Sequence, residues 1–200
     1  MATGRIHVIG AGVAGLAAAV RLAQGGRKVA LHDSAGHAGG RCRSYFDAHL
    51  DRRIDNGNHL MLSGNWAIRH YLETVGAADS LTGPEDASFP FRDLRTGETW
   101  TVTPDAGRIP WFILFGPGRV PGARLGEYLR VRHLACAGAD DTVADCLAGP
   151  GTLFEKFWEP LAVGVLNTPA DTASARLLWP VVKETFGRGR AACRPLMARA

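Results

Sequence analysis

Lysine is scarce in this 200-residue chain. Lys28, Lys156 and Lys183 are the only three, so the formal charge of +4 and the pI near 9.1 rest on scattered arginines. No basic block and no basic–aromatic stripe forms, which argues against a nucleic-acid partner. A net positive charge leaves room for a modest attraction to anionic lipid headgroups. Cys42, Cys136, Cys146 and Cys193 lie far apart and form no CxxC, so reduced thiols are expected rather than a disulfide framework. The seven histidines lack metal-ligand spacing and no HExxH occurs, so no metal is expected. No apolar stretch reaches the ~18 residues of a membrane span, and no signal-peptide pattern precedes the first strand-like run. There is no internal repeat and no low-complexity segment. The expected location is the cytoplasm, with peripheral contact at the inner face of the cell membrane as the alternative.

What is present is globular. Apolar residues make up 46% and charged residues 21%, enough for a core in one domain or two small ones. Residues 5 to 33 read as strand, helix, strand. A β-like run (Ile6, His7, Val8, Ile9) leads into Gly10-Ala11-Gly12-Val13-Ala14-Gly15. An apolar helix pattern follows, and a second β-like run (Val29, Ala30, Leu31) ends at Asp33. This is the order of a dinucleotide site.

Each residue type has a physical reason. Gly10 permits the tight turn out of the strand. Gly12 lacks a Cβ, so a pyrophosphate can approach the backbone. Gly15 lets the helix pack closely on the strand. Val13 and Ala14 share the first helical turn, whose unpaired N–H groups and positive dipole end suit phosphates. Asp33 lies about 20 residues beyond the glycines, where its carboxylate can accept ribose hydroxyls. With 25 glycines in the chain, a lone GxGxxG would say little. The flanking strand, helix and acid make the signal strong. The plainer reading is a glycine-rich turn with no ligand.

Further along, residues 34 to 44 read as a glycine-rich loop entering a helix turn. Arg53 to Leu62 suggests a short strand or extended loop around Ile54-Asp55-Asn56-Gly57-Asn58-His59. Ser63 is the expected cap of a helix from Asn65 to Val75, with Ile68, Tyr71, Leu72 and Val75 on its buried face. Phe89–Leu94 and Glu98–Thr103 flank Arg95-Thr96-Gly97 as a hairpin. Pro104, Pro110, Pro117 and Pro121 punctuate an irregular region around Trp111-Phe112-Ile113-Leu114-Phe115. Helix-like stretches follow near 123–136, 141–148, 151–166 and 172–186. The last contains Pro180 and is expected to kink or break there.

At Gly39-Gly40-Arg41 the chain resembles the flavoprotein superfamily of amine oxidases, phytoene desaturases and protoporphyrinogen oxidases. GGRCRSYFD, RIDNGNHLMLSGN, LTGPE, FPFRDLRTGE and LNTP are most similar to its hydroxysqualene dehydroxylase subfamily, also called squalene-associated FAD-dependent desaturases. The resemblance runs over nearly the whole chain. It implies FAD as cofactor, with Gly39, Gly40 and Arg41 at the pyrophosphate and the Asn56, Gly57, Asn58 and His59 segment near the flavin ring. It implies an isoprenoid lipid substrate, hydroxysqualene, reduced to squalene: ionisation would give an allylic cation, quenched by hydride from the reduced flavin. A polyene or carotenoid desaturase of the same superfamily, and a non-catalytic nucleotide-binding fragment, are the alternatives. Members of the subfamily are roughly twice as long, so this chain is expected to be an N-terminal half whose partner half supplies further strands and a second flavin contact.

Plainer readings stand beside these. Arg41 could be one more surface arginine, although a guanidinium fork matches phosphate oxygens. Arg43 and Ser44 could add polar contacts. The Asn-Gly pair at 56–57 could be a simple turn, and His59 a structural histidine. Asp140-Asp141 with Asp145 reads as an acidic helix start capped by Asp140 or Asp141 rather than a magnesium motif. Phe154, Phe157, Trp158, Leu161 and Val165 form a helical stripe, read first as core and second as pocket lining. Core, substrate channel and a patch dipping into a membrane all stay open for Trp111–Phe115. No residue is assigned a catalytic role. The expected architecture is α/β: a Rossmann-like FAD-binding βαβ start over 1–76, a mostly helical α+β substrate-binding part over 77–200, and a sheet incomplete in this chain.

Overall fold

The computed structural model describes residues 4–56, 60–107 and 118–199. They divide into two compact units. The first holds Met1–Leu60, His70–Thr82 and Met197–Ala200; the second holds Met61–Arg69 and Gly83–Leu196.

The first unit opens with the expected βαβ. Strand β1 (Ile6–Ile9) pairs in parallel with β2 (Val29–His32), Ile6 opposite Val29 and Ile9 opposite His32. Between them runs helix α1 (Val13–Gln24), rich in alanine and free of β-branched runs. It ends where Gly26 takes φ +73°, and the Gly25 and Gly26 amides return to the Arg21 and Ala23 carbonyls. Residues 34–44 depart from expectation. No helical turn follows Gly40, because Gly39 and Gly40 both take positive φ (+104° and +59°), outside right-handed helix space. The chain turns instead into β3 (Ser44–Asp47), which forms an antiparallel hairpin with β4 (Arg52–Asp55). The parallel sheet has two strands among the described residues, and Ile9 on β1 is 80% exposed. Ala11 is the one fully buried residue described in this unit.

The second unit carries the hydrophobic core. The expected hairpin is present as β7 (Phe89–Arg92) and β8 (Thr99–Val102). Phe91 stacks on Trp100 with centroids 5.6 Å apart, and Phe157 meets both Phe91 and Phe186 edge-on. Around this cluster lie short helices α3 (Leu125–Tyr128), α4 (Val131–Ala135) and α5 (Val143–Leu147). A π-helical turn (Phe154–Trp158) then runs into α6 (Glu159–Leu166), and α7 (Ala175–Glu184) follows. Leu134, Val143, Leu153, Trp158 and Leu178 fill the centre. The 154–165 stripe is therefore core, with Phe157 and Trp158 buried and Phe154, Leu161 and Val165 packed against them. Met61–Leu62 (β5) pairs with Pro195–Leu196 of the last strand in this unit. Leu81–Thr82 (β6) pairs with Met197–Ala198 of that strand in the first.

Several capping expectations change. Ser63 caps no helix: it is buried, its hydroxyl donates to the Ala191 carbonyl (2.7 Å) and accepts from the Arg194 amide (3.0 Å). Asn65 takes the capping role, its Oδ1 accepting the Ile68 amide at 3.3 Å ahead of α2 (Trp66–Thr74). The apolar face expected on α2 is not buried; Ile68 and Val75 are exposed, and Tyr71 and Leu72 half-buried. Asp140 and Asp141 do not cap α5. Thr142 does, in a capping box with Asp145, while Asp141 accepts the Gly138 amide. Helix α7 runs on through Pro180. The Trp111–Phe115 run lies outside the described residues.

The LNTP motif terminates α6. Asn167 sits in the left-handed region (φ +51°, ψ 34°), its amide bonded to the Val163 carbonyl, and the Thr168 hydroxyl donates to the Leu166 carbonyl. The Pro169 carbonyl then accepts the Thr172 and Ala173 amides. Asparagine tolerates this backbone and alanine does not. Asn167→Ala should lower unfolding stability by about 1 kcal/mol and Asn167→Gly should be near neutral. Denaturant midpoints check this; an equal effect of both changes would remove the left-handed cap as the cause.

Candidate functional site

The expected nucleotide loop is built by backbone geometry. Gly10 takes φ +96° and its amide continues the strand ladder to the His32 carbonyl at 2.7 Å. Gly12 caps α1 with extended backbone (φ −72°, ψ 177°) and no side-chain hydrogen bond, and no acid stands in the first helical turn. Val13 and Ala14 lie exposed at that turn. Nothing stands within 4 Å of where a Cβ on Gly12 would point, so the space before the loop is open. Gly15 differs: a Cβ there would fall 1.8 Å from the Gly10 carbonyl oxygen. Its role is the close approach of helix to loop.

Asp33 directly follows β2, beside this loop. Its Oδ2 accepts the Ala11 amide at 2.6 Å, and its Oδ1 accepts the Ala35 amide at 2.8 Å. These hydrogen bonds, first from Ala35 and then from Ala11, hold its carboxyl below the ordinary range, so it is ionised at neutral pH. The side chain stays exposed, and each oxygen keeps lone pairs for a ribose hydroxyl. Ile9, Gly10, His32, Asp33 and Ser34 line an open cleft of about 300 Å³ here.

Gly39 and Gly40 come directly against the loop. The Gly39 amide donates to the Ala11 carbonyl at 2.8 Å, Gly39 bridges Gly12, and a Cβ on Gly40 would lie 3.1 Å from the Gly12 Cα. Arg41 is exposed, and its guanidinium makes no hydrogen bond or ion pair among the described residues. Arg43 is committed elsewhere, to His37 Nε2 and over the Tyr45 ring. Ser44 donates to Asp55. Asn56 reaches the same segment, its amide to the Arg43 carbonyl (2.9 Å) and its Nδ2 to the Arg41 carbonyl (3.1 Å). Gly57, Asn58 and His59 lie outside the described residues. Sequence reasoning missed Ala11, whose amide donates to Asp33 and whose carbonyl accepts from Gly39, and Ala35, whose amide donates to Asp33. No side-chain signal marks such positions.

The residues present fit a pyrophosphate: an open Cβ-free approach, a helix start without a competing acid, and the Arg41 guanidinium, which has no partner among the described residues. Among the described residues no group of three or more His, Cys, Asp or Glu side chains could hold a metal ion. Nor is any described helix long and apolar enough to cross a membrane.

Residues 13–198 match the family of flavin containing amine oxidoreductases, and the chain belongs to it. Membership implies a flavin cofactor. More particularly, the chain is 43% identical over 194 residues to a hydroxysqualene dehydroxylase of Sinorhizobium fredii, and 44% identical over 194 residues to one of Rhodopseudomonas palustris. Each alignment covers 97% of this chain and 46% of the relative, so the chain spans about half the length of the curated relatives it matches. Among solved structures, an oxidoreductase from Methanosarcina mazei superposes with a TM-score of 0.61 at 15% identity, covering 96% of this chain and 45% of that one. The fold is the expected Rossmann-like α/β class with incomplete sheets.

Two glycines separate packing from ligand space. Gly15→Ala should destabilise the chain by about 1–3 kcal/mol through overpacking against the Gly10 carbonyl. Gly12→Ala should stay within about 0.5 kcal/mol, because its Cβ meets no protein atom. Thermal or denaturant unfolding distinguishes them; a tolerated Gly15→Ala would refute the close approach.

Proposed function

We propose that this chain carries the FAD-nucleotide-binding and part of the substrate-binding portion of an oxidoreductase that reduces a hydroxylated C30 isoprenoid, hydroxysqualene, to squalene. The observation that carries it is the extent of the similarity, which runs through both units and not through the glycine loop alone. The first unit is the FAD-binding part and the second the substrate-binding part.

The residues divide the work. Gly10, Gly12 and Gly15 shape the loop, and Val13 and Ala14 offer the helix-start amides to the pyrophosphate. Gly39 and Gly40 press against that loop, and Arg41 supplies the counter-charge. Asp33 accepts the ribose hydroxyls. Asn56 holds the Arg41 backbone, and the family resemblance assigns Gly57, Asn58 and His59 to flavin contact. A reduced flavin supplies hydride when bound; the chain positions it and keeps water away from a long hydrocarbon. An apolar chamber suits that substrate, since water would capture an allylic cation.

The chain incubated with FAD and then desalted should retain the visible absorbance bands of bound flavin. A full-length chain that contains these residues, supplied with a reductant and hydroxysqualene, should form squalene, read by mass spectrometry of the extracted lipid. Loss of all flavin on desalting would overturn the FAD reading for this chain. Dehydrogenation of a polyene by the oxidised flavin, without reduction of hydroxysqualene, would replace the reaction with a desaturation.

A further inference from the structure

The acid of a dinucleotide site is read as a ribose ligand. In this chain its carboxylate is already occupied on both oxygens. Oδ2 takes the Ala11 amide at 2.6 Å and Oδ1 the Ala35 amide at 2.8 Å. Ala11 is the middle residue of Gly10-Ala11-Gly12, and its carbonyl takes the Gly39 amide at 2.8 Å. Both backbone polar groups of Ala11 are thus held by the 33–40 segment. Ala11 is also the one fully buried residue described in the first unit. Every other described residue of that unit is half-buried or exposed, so apolar packing contributes little to the shape of this loop. Hydrogen bonds must then fix it, and those to a carboxylate are the strongest available.

From this we infer that Asp33 is a positioning residue as well as a ribose ligand: its carboxylate latches the phosphate loop to the 33–40 segment in binding-competent form before any nucleotide arrives. The latch rests on reading residues 10–40 as the nucleotide site. It lowers the ordering cost of binding, because the Gly12 approach and the Gly39-Gly40 contact are set in advance. It also accounts for the aspartate: a short side chain at the end of β2 reaches two backbone amides on either side of it.

Amide hydrogen exchange of the ligand-free chain tests the latch without any flavin. In the wild type, the Ala11 and Ala35 amides should exchange slowly. Asp33→Ala should speed both about tenfold or more, the loss of one charge-assisted hydrogen bond at each. The Gly39 amide should follow, since its acceptor is the Ala11 carbonyl. Asp33→Asn keeps the shape but has one carbonyl oxygen, so it should protect at most one of the two amides. Amides of the second unit, such as Val143 and Thr185, should be unchanged in both variants, which reports that the fold survives; if Asp33→Ala fails this control, Asp33→Asn carries the test. Unchanged Ala11 exchange in a folded variant overturns the latch. So does a variant that loses flavin retention yet keeps the Ala11 and Ala35 amides protected, for the carboxylate then acts on ligand alone. A wild type with a protected, Asp33-dependent Ala11 amide that retains no FAD would leave the latch standing and overturn the proposed function instead.

Discussion

The first unit depends on one approach of backbone to backbone. Helix α1 comes so close to the turn after β1 that a methyl on Gly15 would collide with the Gly10 carbonyl. That contact sets where the helix begins, and so where its unpaired amides point. Around the turn a second set of backbone contacts closes, with Gly39 bridged to Gly12 and Gly40 against its Cα. Three short stretches of chain meet with almost no side chain between them. Substitution at these glycines is therefore a geometric matter more than a hydrophobic one.

The two units are stabilised by different physics. In the second, aromatic and aliphatic side chains interlock, and Phe157 alone meets Phe91, Trp158 and Phe186. Truncating such residues leaves cavities, and cavities are costly. In the first, a two-stranded parallel pair leaves Ile9 and Leu31 exposed, and α1 buries none of its residues fully. Parallel sheets ordinarily have both faces covered. With so little apolar burial, the loop's shape falls to hydrogen bonds that start from Asp33 and from Gly39.

The sequence revealed what local stereochemistry demands. Glycines needed for turns and close approach, the acid at the end of β2, and the Arg95-Thr96-Gly97 hairpin are all legible, because each is a local requirement with few solutions. Caps were less legible. Ser63 and Asn65 are both good caps, and only the tertiary demand at Ala191 and Arg194 decides that Ser63 is taken. Asp140, Asp141 and Thr142 compete in the same way, and the box with Asp145 favours Thr142. The two-residue strands Met61–Leu62 and Leu81–Thr82 have no period to read, and their partner strand lies more than a hundred residues on. The α2 face has helical spacing, but spacing shows only that a face could be covered.

The motifs behind the family resemblance now separate into two kinds. GGRCRSYFD and the start of RIDNGN build one local structure: the turn against the glycine loop, the hairpin after it, and the Asn56 tie to the Arg41 carbonyl. The others are architectural. In LTGPE, Gly83 is glycine because a Cβ would lie 2.1 Å from the Pro195 carbonyl, and Pro84 offers its carbonyl to Arg194. In FPFRDLRTGE, Asp93 accepts the Arg95 amide to close a hairpin. LNTP ends a helix. A motif shared with a family of known chemistry is thus not by that fact a chemical motif. Among the described residues, the motif positions that meet the glycine loop lie at Gly39, Gly40 and the Arg41–Asn56 tie. In the second unit the described motif residues close a turn, a hairpin and a helix end, which is the work of a scaffold rather than of a reaction.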